Sequence, residues 1–333
     1  MSGPIRVVHV NDIAFVGSTL VRNLRAEGVD ASLIEPLRLG RTIPRPWRLA
    51  ALPVRAIGLL AAGARVRFGG YDVAHVHFAR LGIVGPLGGR PYVLHCHGSD
   101  IRRVRPGSPW GREVRPFLHR AGLVYYSTPD LEPWVTAFRP DAVFLPNPIE
   151  LPGPSTATES PGRDLLVGVR LDPIKGFEMI EAVVAAIVRR RPSTTITVVD
   201  QGQEVGRVLR AAGPGGRLVG PAPHLGMPTL FRKHRIAIGQ MLVGSLGNYE
   251  LEAMATGVPV AATFRFRSAY AAQPPVIDDA SPAAVADRIV ALLDDEAERR
   301  ELAEAGRQWI AEHHGATAIA RRVAADYHSL LGR

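Results

Sequence analysis

The sequence predicts an α/β fold built from two doubly wound, Rossmann-like domains with a cleft between them. Three observations predict it. Short, nearly wholly apolar segments alternate with helical stretches through the first half of the chain. A run of Pro, Gly and small polar residues at 151–162 breaks the alternation, and a second series of the same kind follows it. Strands that are apolar throughout suit a parallel sheet whose two faces are both covered by helices. With 333 residues, 46% of them hydrophobic, the chain is long enough for two cores of ordinary size.

In the first domain, 1–150, strands are expected at 5–10, 31–34, 73–77, 92–97, 123–127 and 142–145, with helices such as 18–27 and 111–121 between them. The linker at 151–162 has no hydrophobic period. The second domain, 163–315, is expected to place strands at 164–169, 195–199, 217–219, 236–238 and 258–261, with helices at 177–190, 227–233 and 249–255. Ser281 ahead of Pro282 is a helix start, a hydroxyl cap followed by proline at the first helical position, and introduces a helix at 283–293. Helices at 296–313 and 316–331 follow. The last carries Ile319, Val323 and Tyr327 on one face, and the segment 316–333 is expected to pack back on the first domain.

Composition narrows the class. Cys96 is the single cysteine, which excludes an intrachain disulfide framework and a cysteine-based metal site. No stretch offers the roughly 20 continuous apolar residues of a spanning helix, and the N-terminus has no basic region followed by a long apolar one. The expectation is a cytoplasmic enzyme, with peripheral membrane contact left open. The formal charge is +9, and fifteen arginines against three acidic residues lie between Pro36 and Arg120. That field favours a phosphorylated or anionic partner. It equally fits a compositional bias, since Lys175 and Lys233 are the only lysines. No nucleic-acid module or aromatic-basic pattern is present. The stretch 44–60 mixes Trp47, aliphatics and arginines; it reads as a membrane or lipid-acceptor contact or as a buried helical hairpin with solvated arginines, and Pro53 argues against one uninterrupted helix.

Two motifs carry chemistry. In Gly168-Val169-Arg170-Leu171-Asp172-Pro173-Ile174-Lys175-Gly176, Arg170 follows a strand and Lys175 opens the next helix. A guanidinium fork and an ammonium so placed can neutralise a diphosphate leaving group as its charge grows. The second motif runs from Gly244 through Gly247, Asn248, Tyr249 and Glu252 to Pro259. Its glycines let the backbone approach a ligand, the helix start presents unpaired N–H groups to an anion, and Glu252, one turn in, can accept from two ribose hydroxyls. A solvated helix residue is the plainer account of Glu252. In the first domain, Leu94-His95-Cys96-His97-Gly98-Ser99-Asp100 ends a strand at the sheet's carboxyl edge, His75 and His77 end another, and Val16-Gly17-Ser18 follows the first strand. His9 is expected to be buried.

Both motifs and the two-domain organisation resemble the retaining nucleotide-sugar glycosyltransferases of the GT-B fold, the type called family 4 or glycosyl transferases group 1. The resemblance covers nearly the whole chain and is strongest over 164–262. It implies that Arg170 and Lys175 contact the diphosphate and act in catalysis, and that His97, also catalytic, lies beside the donor sugar. It implies further that Gly247, Asn248, Tyr249 and Glu252 hold the donor, with Glu252 on the ribose. Gly17 falls where such enzymes have a glycine-rich loop near phosphate and acceptor, although the usual second glycine is missing. His75 and His77 read either as packed or rim residues or, for His77, as a border of the acceptor. Nucleotide recognition is expected around Val219 and His224, largely by backbone.

The pattern is also broken in two places. A valine stands between Gly168 and Arg170, and Gly244 replaces the first glutamate of a Glu-x7-Glu pair that holds the transferred sugar. The run from Gln240 to Gly247 resembles a subgroup lacking that carboxylate. The implied activity is metal-independent transfer from a nucleotide-diphosphate sugar, of UDP or GDP type, to a small glycoside, natural product or lipid-linked acceptor. No metal or other cofactor is expected. A sugar-nucleotide epimerase, a phosphorylase or a weakly catalytic nucleotide-sugar-binding subunit are the alternatives.

Overall fold

The computed structural model describes residues 3–36, 52–153 and 162–333. The chain divides into two compact units, 1–148 with 316–333, and 149–315.

In the first unit the elements are β1 (Arg6–Val10), α1 (Val16–Ala26), β2 (Asp30–Ile34), α2 (Leu52–Phe68), β3 (Val73–His77), α3 (Val84–Gly88), β4 (Tyr92–Cys96), α4 (Pro109–Arg120), β5 (Leu123–Tyr126), α5 (Glu132–Thr136) and β6 (Val143–Phe144). The second unit holds β7 (Arg163–Val167), α6 (Phe177–Arg190), β8 (Ile196–Val199), α7 (Val205–Ala212), β9 (Gly216–Val219), α8 (Met227–Arg232), β10 (His234–Ile238), α9 (Asn248–Ala255), β11 (Val260–Ala261), α10 (Pro282–Asp294) and α11 (Glu296–His314). The final helix, α12 (Ala316–Leu331), belongs to the first unit and packs on α1.

Both sheets are parallel. The first has six strands in the order β2-β1-β3-β4-β5-β6, the second five in the order β11-β10-β7-β8-β9. Apolar cores lie on both faces of each, as continuous apolar strands demand. Val8, Val10, Ala74, Val76 and Leu94 pack with residues of α2, α3 and α4 on one face of the first sheet. Val7, Val73 and Val93 pack with α1 and α12 on the other. In the second sheet Leu165, Val167, Ile236 and Ile238 face α6, α7 and α10, while Leu166, Ala237 and Val260 face α9 and α11. This is the two-domain doubly wound architecture expected from the sequence. In each sheet the chain reverses its direction of growth once, between β1 and β3 and between β7 and β10. Loops leaving the carboxyl ends of strands at such a reversal splay apart, and the crevice they leave is where α/β proteins bind ligands.

The differences from the sequence reading are local. The sequence reading does not include the helices α3, α5 and α7; α3 and α5 are five residues each, too short to show a period. Residues 52–68 form a helix with Pro53 in the first turn of its described length, where no N–H is needed. Its first half is not buried as the hairpin reading expects, for Leu52, Val54, Ile57 and Leu60 are exposed. The rest of that stretch, 44–51, lies outside the described residues, as does 154–161 of the linker. Among the described residues no helix is long and apolar enough to cross a membrane.

Candidate functional site

The β7–β10 reversal brings the two sequence motifs of the second unit together. Past β7, Gly168 must be bare, since a methyl group there would come within 2.5 Å of the Tyr249 ring. The Gly168 N–H donates to Tyr249 Oη at 3.0 Å, and that hydroxyl donates to the Leu166 carbonyl at 3.1 Å. Tyr249, one of the residues expected to hold the donor, thus has its hydroxyl engaged by backbone and clamps α9 to the end of β7. Asp172 shapes the following turn: Oδ1 accepts from Lys175 N at 3.2 Å and Oδ2 from Arg170 Nε at 2.5 Å. The Arg170 side chain stays more than half exposed, at 57%. Gly176 takes φ 74° and lies against Leu242, and Met241 N donates to the Lys175 carbonyl at 2.8 Å. The loop carrying the two cations therefore rests on the loop after β10.

That second loop is held by two buried polar residues to which the sequence assigned no role. Glu250 accepts from Gln240 N and from Gly247 N, both at 2.8 Å, capping α9 from inside. Gln240 Oε1 accepts from the N–H groups of Leu242 and Gly244, and Gln240 Nε2 donates to the Thr263 carbonyl at 2.6 Å. The Gly247 N–H is consequently used within the protein, not free for an anion. Gly244 has φ 78°, and a side chain there would meet the Arg265 stem at 3.0 Å. Asp or Glu in the first turn of a helix is a sequence signal, and Glu250 at the third position of α9 carries it.

Lys175 reaches the start of α9. Its Nζ would lie 3.7 Å from a methyl group placed on Gly247. One turn further along α9, Glu252 Oε1 lies 3.6 Å from His224 Nδ1. Burial, reinforced by the charge of Glu250, raises the Glu252 carboxyl to about 7. A carboxylate so poorly solvated gains from hydroxyl donors, because they replace lost water. Val219 ends β9, and its carbonyl accepts from Asp200 N at 2.8 Å. Lys175 thus meets the start of α9, Arg170 is carried on the same Asp172 turn as Lys175, and Glu252 faces His224 one turn further along the helix.

His97 and Gly17 lie in the first unit, at the carboxyl edge of its sheet. Asp100 folds the turn after β4 by accepting from the N–H groups of His97, Gly98 and Ala79, the last at 2.7 Å. Burial lowers the His97 imidazole to about 3, so it is neutral at neutral pH. Gly17 opens α1, and a methyl group there would fall 2.9 Å from the Asn11 carbonyl and 3.5 Å from His77 Nε2. The loop before it holds Asn11, Ala14 and Phe15 at positive φ, an uncommon concentration of strained non-glycine backbone.

Residues 163–295 match the family described as glycosyl transferases group 1, which relates the second unit to that family. A search of curated proteins finds no match. Among solved structures, sucrose-phosphate synthase from Thermosynechococcus elongatus is similar at 18% identity with a TM-score of 0.72, covering 98% of this chain and 99% of that one. HepE of Anabaena, in complex with UDP-glucose, aligns at 14% identity and a TM-score of 0.69 over 98% of this chain and 100% of its own. A putative UDP-N-acetylglucosamine 2-epimerase from Listeria monocytogenes aligns at 14% and 0.67, covering 98% and 96%. The fold is GT-B.

Proposed function

We propose that the protein is a retaining glycosyltransferase that moves a sugar from a nucleotide-diphosphate sugar, of UDP or GDP type, to the hydroxyl of a small glycoside, natural product or lipid-linked acceptor. The observation that carries this reading is the meeting of Lys175 with the start of α9, with Glu252 one turn along the same helix. Five residues of helix span about 7.5 Å, a reach that suits a diphosphate at one end and a ribose at the other. The match of this unit to a glycosyltransferase family, and the nucleotide-sugar complex of a protein with the same fold, support it.

In the reaction the bond from the sugar C1 to the phosphate oxygen breaks and the acceptor oxygen bonds to C1 on the same face. The acceptor proton passes to the departing phosphate. Arg170 and Lys175 neutralise charge that grows on the diphosphate in the transition state, so their binding energy lowers the barrier rather than only the Kd. They supply this charge without a metal. Glu252 accepts from the ribose hydroxyls, and His97, neutral, donates to or accepts from the transferred sugar.

The test is a thermal-shift panel of nucleotides and nucleotide sugars, followed by transfer assays with the stabilising donor. Lys175→Ala is expected to lose most of the donor-induced shift and to cut kcat/KM by about a hundredfold or more, and NMR of the product should show the donor's anomeric configuration. Equal stabilisation of Lys175→Ala and the unaltered protein would remove the donor assignment. Turnover of the donor without an acceptor would favour epimerisation.

A further inference from the structure

The parallel register that sets His97 at its strand end also gathers histidines. His9 on β1 pairs with His75 on β3, and His77 pairs with His95 on β4. Residues at these positions project to one face of the sheet. His9, His75, His77 and His95 are all fully buried. The rings touch in sequence, with centroids 4.6 Å apart for His9 and His75, 4.5 Å for His75 and His77, and 4.2 Å for His95 and His97. Their nitrogens form one path. His97 Nε2 meets His77 Nδ1 at 3.0 Å, His77 Nε2 meets His9 Nδ1 at 2.9 Å, and His9 Nε2 meets Tyr327 Oη at 3.1 Å. The hydroxyl meets His75 Nδ1 at 2.6 Å, and His75 Nε2 meets His95 Nδ1 at 3.3 Å. The path stops at His95 Nε2, which is buried without a partner. A buried polar atom left unpaired is uncommon enough to require an explanation.

We propose that His77, His95 and His97 form a three-imidazole site for a first-row transition metal ion of the zinc type. One ring nitrogen from each lies within 4.8 Å of the others. An ion held at about 2.0–2.1 Å from each nitrogen needs them about 3.4 Å apart, which small ring rotations supply. Imidazole nitrogens are ligands such ions prefer. The remaining hydrogen bonds fit the ligands' tautomers. With the ion on His77 Nδ1, the Nε2–H of His77 donates to His9, whose own Nε2–H donates to Tyr327 Oη. With the ion on His95 Nε2, the Nδ1–H of His95 donates to His75, whose Nδ1–H donates to the same oxygen. Two supporting chains thus converge on one hydroxyl, the kind of outer arrangement that orients metal-bound histidines. The partnerless His95 Nε2 becomes a ligand. The sequence offers no local metal motif because the three nitrogens come from adjacent strands, not from one helix or loop. The three histidines belong to the first unit and the cations proposed for the diphosphate to the second, and the test does not require that transfer be observed.

The full-length protein, stripped of metal, is titrated with Zn(II) and with Co(II) as a visible probe. The expected result is one ion per chain, a Co(II) spectrum of nitrogen coordination, and X-ray absorption of the Zn(II) form showing three imidazole nitrogens. His95→Asn, checked for folding by circular dichroism, is expected to weaken binding by about a hundredfold, while His119→Asn, at an exposed position, leaves it unchanged. Absence of stoichiometric binding, retention of full affinity in His95→Asn, or an absorption spectrum with fewer than three imidazoles overturns the proposal. Should His95→Asn fail to fold, the X-ray absorption of the unaltered protein decides the matter.

Discussion

Burial and the neighbouring Glu250 hold the Glu252 carboxyl up at about 7, against 4.5 for the free group. Between those values the folded chain binds more protons than the unfolded one, so stability falls as pH rises through that window and the penalty is complete above it. Glu252→Gln is therefore expected to raise the Tm at about pH 8 and to leave it nearly unchanged at about pH 4; differential scanning fluorimetry reads both. The same substitution removes the acceptor proposed for the ribose. Donor affinity, measured by isothermal titration calorimetry, should fall about tenfold or more. A Tm lowered at alkaline pH would mean that the carboxylate is satisfied within the protein and would sink the argument.

Helix α9 owes its position to two side chains bonded to backbone, one buried and one partly buried. Glu250 satisfies two backbone N–H groups, one before the helix and one at its cap, and Tyr249 ties the same helix to β7. Glu250→Ala leaves both donors without an acceptor in a buried place, and should cost on the order of 3 kcal/mol by denaturant titration. Donor binding should weaken with it, since the loop at 240–247 loses its support. Gly244 differs in kind. Its φ of 78° is costly for any other residue, so Gly244→Ala is expected to destabilise by about 1–2 kcal/mol even though the methyl group adds no polar atom. Full stability of Gly244→Ala would show that the loop relaxes easily.

Taken over the whole molecule, ionisable groups are distributed unequally between the two units. The first gathers five histidines on one sheet face, four of them buried and His97 partly so, all lowered by desolvation, His9 and His97 to about 3. An unfolded histidine takes up its proton near 6.5, whereas these stay neutral in the fold. Stability is fully present above 6.5 and is lost as pH falls below it. The first unit is expected to unfold in mild acid before the second, with hydrogen exchange rising first in β1, β3 and β4. Simultaneous loss of protection in both sheets would contradict this. Hydrogen exchange also tests the donor site: a bound nucleotide sugar should protect 168–176 and 240–252 more than the remainder of the second sheet.

Much of this was legible in the residues themselves. Apolar runs such as those ending at Val10, His77 and Val167 announce buried parallel strands, and Ser281-Pro282 announces a helix start, because periodicity and capping act over two to four residues. Arg170, Lys175 and Glu252 could be singled out by the same local logic. The sequence by itself determined the strand and helix alternation, the two-domain organisation of the fold and the chemistry available at each turn. Tertiary structure alone decided which turns meet. Strand order placed β7 beside β10, which set Lys175 against Gly247 and took up Gly247 N–H and the Tyr249 hydroxyl within the protein. It also stacked β1, β3 and β4, turning five scattered histidines into one cluster. The physical reason is that side-chain periodicity is a property of neighbours along the chain, whereas strand adjacency is settled only when all the apolar faces are buried together.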